Sequence, residues 1–250
     1  MGTRNLTCVV SDGEYRIAQY CQWDGYPSGQ GVTVLDFLSN KMDRDRFESA
    51  LKETKWITEE EHTKLWEGFG ADGSGMVTMD IADAFKKVHP QLDRDMGANV
   101  LEFVQESDCP VVLNDSIDFA KDGLFCEWAY VVDLDKNVLE VYSGFGKEKL
   151  DEGSRFGNDI DDNGYSAVGL VKTYSLDDLP DEETFLKDLE PRDEDEDEEE
   201  LMTKDSVFAV IDHIRSGDHG NDIVADRICN YLEANIDEFL ETYAMVDFTE

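Results

Sequence analysis

Positive charge is scarce in this chain: 22 lysines and arginines stand against 59 aspartates and glutamates, a formal charge of -37. A field of that sign repels nucleic-acid phosphates and anionic lipid, so neither direct phosphate contact nor membrane binding is expected. It attracts cations and basic proteins, which are the partners it predicts. Long apolar runs are missing too: none approaches the roughly 18 residues of a membrane span. Polar residues follow Met1 at once, so no signal peptide is expected. Leu6 stands where an N-myristoylation motif needs Ser or Thr. The five cysteines, Cys8, Cys21, Cys109, Cys126 and Cys229, include no CxxC pair. An odd set in apolar, strand-like surroundings reads as free thiols in a reducing compartment, the cytoplasm or the nucleus. Also missing are G-x-S-x-G, H-E-x-x-H and the Gly-Lys-Ser/Thr of a P-loop, so no complete catalytic motif is present.

What is there is a foldable chain. Hydrophobic residues make up 40% and aromatics 10% of its 250 residues, enough for a sizeable core. The pattern predicts an α+β fold with a mostly antiparallel sheet built from hairpins, a helical insertion and two C-terminal helices. The runs "RNLTCVVS" and "EYRIAQYC" flank the turn signal Asp12-Gly13 and predict a first hairpin over 4–21. A helix is expected over Val32–Ser39, opening a helical block over 32–105. Within that block Thr58 and Glu61 form a capping-box pattern. "CEWAYVVDLDKNVLEVYSGF" predicts a second hairpin turning at Asp135-Lys136-Asn137, and "YSAVGLVKTYSL" a further strand. Both hairpins are expected in one sheet, with 32–105 packed on one face. The domain reading is an α+β unit over 1–190, an acidic linker over 191–203 and a helical segment over 204–250. From Leu176 to Glu200, 15 acidic residues meet two basic ones, which marks a solvated, self-repelling tract.

The densest special chemistry is the loop "QWDGYPSGQG", which follows a strand and precedes a helix. Its candidate ligand-binding residues are Thr3, Arg4, Trp23, Asp24, Tyr26 and Pro27. Free backbone N–H groups at a helix start favour anions. The plainer account is a rigid turn, in which Pro27 fixes φ, Gly25 and Gly29 permit unusual φ, and Asp24 caps. A hairpin turning at Asp12-Gly13 sets Arg4 opposite Cys21 and near Asp24, which predicts an ion pair there. The stretch "MGTRNLTCVVSDGEYRIAQYCQWDGYPSGQG" resembles the opening of a family of uncharacterised proteins encoded by filamentous fungi, bacteria and phages. That family shares an M-x-T-R start and a "Y…DGYP-x-G" loop. Fungal members resemble this chain further through "SIDFAKDGLFCEWAYVVDLDKNVLEVYSGF". The resemblance implies that Thr3, Arg4, Asp24, Tyr26 and Pro27 belong together; it carries no activity.

For metals, "DIDDNG" matches the first six positions of an EF-hand loop, with Asp159, Asp161 and Asn163 as weak calcium candidates. Position 12 is Leu170 rather than Glu, so a plain acidic turn explains the same residues and no cofactor is predicted. Asp212, His213, Asp218, His219 and Asp222 are competent ligands without a known spacing. Two functional readings follow. One is a non-catalytic binding or interaction protein. The other is an N-terminal-nucleophile-like hydrolase or ligand-processing enzyme centred on the DGYP loop. The second requires Thr3 to be exposed by cleavage, because removal of Met1 alone leaves Gly2, which has no nucleophile.

Overall fold

The computed structural model describes residues 2–72, 77–161 and 163–189. The expected linker over 191–203, the two C-terminal helices, Cys229 and the 212–222 cluster lie outside the described residues. In chain order the elements are β1 (Asn5–Ser11), β2 (Glu14–Cys21), α1 (Val32–Asp36), α2 (Arg44–Lys52), β3 (Lys55–Trp56), α3 (Glu59–Gly68) and α4 (Met79–Val88). Then come α5 (Val100–Glu106), β4 (Val112–Leu113), β5 (Trp128–Asp133), β6 (Val138–Ser143), β7 (Gly169–Ser175) and α6 (Glu182–Leu189). The fold is α+β, and no described helix is long and apolar enough to cross a membrane.

Five strands form one sheet in the order β2-β1-β5-β6-β7. The predicted hairpins are both there, and β7 adds antiparallel to β6. The junction differs from expectation, because β1 pairs with β5 in parallel, Asn5 beside Trp128 and Val10 beside Asp133. A parallel neighbour needs a long crossover, and the whole helical block supplies it. The sheet is thus mostly antiparallel with one parallel seam at its centre. A second parallel pair, β3 with β4, is a small strap that the sequence pattern did not predict.

Strand alternation divides the core in two. Val9, Ile17, Tyr130, Val132, Leu139 and Val141 face the helices and pack with Val34, Leu35, Phe37, Phe47, Leu51, Leu101, Val104 and Phe185. Leu6, Cys8, Val10, Ala18, Ala129, Val131 and Tyr142 face the other way, onto Ala120, Cys126, Phe156, Ala167 and Val168. Loops rather than helices cover that outer face. Arg155 ties them down, donating from Nη2 to Asp133 at 2.6 Å and from Nε to Glu140 at 2.6 Å.

The predicted helix at 32–39 is part of a longer helical run. Wide π-type turns at Pro27–Gly31 and Phe37–Lys41 flank α1, and Pro27 opens the run, where a missing N–H costs nothing. The last helix of the block expected over 32–105 begins only at Val100. Gly97, at φ +52°, breaks the segment before it. The pair α3 and α4 stands apart from both cores. It has its own aromatic centre, Phe85, stacked on Trp66 at 3.8 Å and touched edge-on by Phe69 and His62. The capping box of α3 is present, with Thr58 and Glu61 satisfying each other's backbone N–H.

Candidate functional site

A bulge settles the geometry of the DGYP loop. Ser11 faces Glu14 and Val10 faces Tyr15, but from Val9 onward the register shifts by one residue, so that Asn5, not Arg4, faces Cys21. A one-residue slip exchanges the faces of a strand. The extra residue is Arg16 in β2, so Cys21 turns to the Asn5 side; β1 itself alternates without a break, with Asn5, Thr7 and Val9 toward the helices and Arg4 continuing the outer row of Leu6 and Cys8. The predicted Arg4–Asp24 ion pair is absent from the ion pairs of the described residues. Arg4 lies over the Phe125 ring instead, 4.4 Å from guanidinium carbon to centroid. Asp24 is exposed at φ +59° and its carboxyl folds over Gly29, where a Cβ would overlap it.

The loop is closed by backbone bonds. Gly25 N–H donates to Thr3 O at 3.0 Å, and Gln30 N–H donates to Asp24 O at 2.9 Å. Beneath the loop the buried Tyr130 hydroxyl donates to Gly25 O at 2.8 Å. Its burial, with the Asp24 charge adding to it, pushes the phenol well above the ordinary tyrosine range, so it remains a donor. Asn5 Nδ2 donates to Trp23 O at 3.3 Å, and the Cys21 thiol donates to the same oxygen at 3.3 Å. Gln30 Oε1 reaches across to accept from Ala98 N–H at 2.7 Å. A polar row therefore underlies the loop, in which Asn5 Oδ1, Thr7 Oγ1 and Gln19 Oε1 have no partner among the protein atoms described.

The candidate residues thus separate. Thr3 is buried with its carbonyl engaged, and Pro27 is buried as the start of the helical run. Trp23 lies against Gly2, where a Cβ would overlap its ring. Trp23 and Tyr26 keep 47% and 54% of their surface exposed. None of the described hollows is lined by these six residues. Gln30 was read as part of the loop, whereas Phe125 and Tyr130, which hold Arg4 and the loop, were not singled out in the sequence. Phe125 and Tyr130 lie some 100 residues away, and only the parallel seam brings them near.

At the calcium candidates, Asp161 Oδ1 accepts from Asn163 N–H and Tyr165 N–H, both at 2.9 Å. Those backbone bonds hold its carboxyl below the usual aspartate range. Ile160 bridges to Ser166 and Gly164 sits at φ +84°, a tight antiparallel turn. Among the described residues no three His, Cys, Asp or Glu side chains are grouped to hold a metal.

A different feature offers a binding surface. A groove of about 610 Å³ runs between α3, the end of α4 and the segment 107–112. Its apolar lining includes Ile57, Leu65, Val88, Leu92, Phe103 and Val112. Val88 is 59% exposed, and the exposed Cys109 lies at its side. The flank is acidic. Glu61 lines the groove, and Glu59, Glu60 and Glu67 line the adjoining hollow on α3, where Glu60 pairs Lys64 at 2.5 Å. At the other side Lys86 is held by Asp93 at 2.9 Å and by Asp95. Sequence reasoning missed this groove because its walls come from three separated segments. Comparison with protein-family models, curated proteins and solved structures gave no match.

Proposed function

We propose that this protein is a non-catalytic binding protein whose α3–α4 groove receives a basic, amphipathic segment of a partner protein. The observation that carries the reading is the apolar groove bordered by α3, where Glu61 lines it, Glu59, Glu60 and Glu67 stand on the adjoining face, and Lys64 is already paired with Glu60. An amphipathic helix laid into such a groove would bury apolar side chains at Leu65, Val88 and Phe103. Its basic residues would face the glutamates. The global charge of -37 favours the same class of partner by raising its rate of encounter, and it disfavours a second copy of this chain.

The DGYP loop supports the same conclusion from the other side. The backbone N–H groups of Gly25 and Gln30 and the carbonyl of Gly25 are spent on fixing the turn, and Thr3 is buried. The test is titration with two synthetic helical peptides, one of leucine and lysine, the other of leucine and glutamate. Binding of the lysine peptide only, weakened by Val88→Asp and by rising salt, is the expected result. Equal affinity for both peptides, or no effect of Val88→Asp, would remove the groove as the site. Val88 is exposed, so that substitution leaves the fold intact.

A further inference from the structure

In a chain this acidic, cations should find carboxylates, and among the described residues five arginines do. Arg16 pairs with Glu14, Arg44 with Glu48, Arg46 with Glu106, Arg94 with Asp95, and Arg155 with Asp133 and Glu140. Arg4 is the described arginine with no ion pair. Its Nε is buried and has no partner among the described residues, and Glu127 meets Arg4 through the backbone instead. Glu127 Oε1 accepts from the backbone N–H of Arg4 at 3.1 Å, while Glu127 N–H donates to Arg4 O at 3.1 Å. The guanidinium carbon lies 4.4 Å from the Phe125 ring centroid, and no hydrogen bond from its donors is among those of the described residues.

The Phe125 ring under this cation is exposed, and the exposed Phe145 follows on a segment tied to the same loop. Phe125 keeps 41% of its surface and Phe145 53%. Phe145 sits at φ +65°, a conformation disfavoured for a bulky residue. Its N–H is pinned to Gly123 O at 2.7 Å, two residues before Phe125. Gly144 before it has no room for a side chain against the carbonyls of Cys126 and Gly123. On the opposite side of the chain start, Trp23 lies over Gly2. Disfavoured backbone that holds an aromatic ring in solvent points to a contact made by that ring.

We propose that Arg4 on Phe125 is a binding site for a small oxyanion, carboxylate or phosphate, attached to a flat apolar group. The oxyanion accepts from the free guanidinium fork and the flat group packs against the exposed Phe125 ring. This site is separate from the α3–α4 groove and stands or falls independently of it.

The test is ligand-observed NMR titration of the full chain with phenylacetate, phenyl phosphate and the neutral isostere 2-phenylethanol. At least one anion should saturate a site, and the alcohol should bind about tenfold more weakly or worse. Which anion binds tighter distinguishes a carboxylate from a phosphate source. Arg4→Gln should erase the preference for the anion. Arg4→Lys should keep part of it, because a point charge remains while the planar fork is lost. Circular dichroism and melting of each variant verify that it is folded. Equal binding of anion and alcohol, undiminished anion binding by folded Arg4→Gln, or saturation by none of the three probes would overturn the proposal.

Discussion

Replacing Arg155 by Met should be among the most damaging single changes in the described fold. Arg155 bridges Asp133 and Glu140, which are 2% and 7% exposed, through bonds of 2.6 Å each. The Tyr142 hydroxyl also donates to Glu140 Oε2, at 2.7 Å. Removing the guanidinium leaves two buried carboxylates whose remaining cation is the exposed Lys136, at 3.5 and 3.6 Å. Breaking a buried pair by removing one partner costs about 3–5 kcal/mol. That is a large fraction of a domain's typical stability of roughly 5–15 kcal/mol. Burial pushes both carboxyls up, but the hydrogen bonds and charge of Arg155 outweigh it and hold both below their ordinary values. Depressed carboxyl pKa values contribute stability that is present above the unfolded values and lost as pH falls through the folded ones. The parent should therefore lose stability on acidification below about pH 4.5. Arg155→Met should tolerate the same acidification better, because protonation relieves its unpaired charges. Urea denaturation of both proteins across pH 3 to 7 measures this. A loss under about 1 kcal/mol at pH 7, or parallel pH profiles, would refute the claim that this network fastens the outer loops to the sheet.

Three further outcomes follow from the loop. Tyr130→Phe leaves Gly25 O buried without its donor and should cost about 1–3 kcal/mol in urea denaturation. Gly29→Ala forces a Cβ into the Asp24 carboxyl and carbonyl and should destabilise by about 1–3 kcal/mol, read as a lower melting temperature. Asp24→Gly removes an exposed carboxylate with no ion pair among those described and suits the φ of +59°, so it should not lower stability by more than about 0.5 kcal/mol in urea denaturation.

The local parts of this architecture were legible in the sequence, and the long-range parts were not. Asp12-Gly13 gave the first hairpin because a two-residue turn constrains its own neighbours, and Thr58 with Glu61 gave the start of α3. The bulge at Val9 leaves no comparable mark: Arg16 reads as one more strand residue. Yet that single extra residue in β2 set Cys21 opposite Asn5 instead of Arg4, and Arg4 lies over Phe125 rather than beside Asp24. The parallel pairing of β1 with β5 depends on a crossover of more than 100 residues, and no window of periodicity spans it. For the same reason Tyr130 and Phe125 were invisible as supports of the loop and of Arg4. The aromatic centre at Phe85 was half legible. Ile81, Ala84, Phe85 and Val88 have helical spacing, but Val88 is exposed on the groove rather than buried in a core.

The central claim, that the α3–α4 groove is the docking surface, is tested most directly at Cys109. This thiol lines the groove and is exposed, whereas Cys8, Cys21 and Cys126 are buried. Burial holds the Cys8 and Cys126 thiols well above the ordinary range and therefore unreactive. The rate of Cys109 alkylation by iodoacetamide, followed by mass mapping, should fall at least about tenfold when the leucine–lysine peptide saturates the protein. It should stay unchanged with the leucine–glutamate peptide. An undiminished rate at saturation would contradict the account, because the peptide would then be bound somewhere other than the groove.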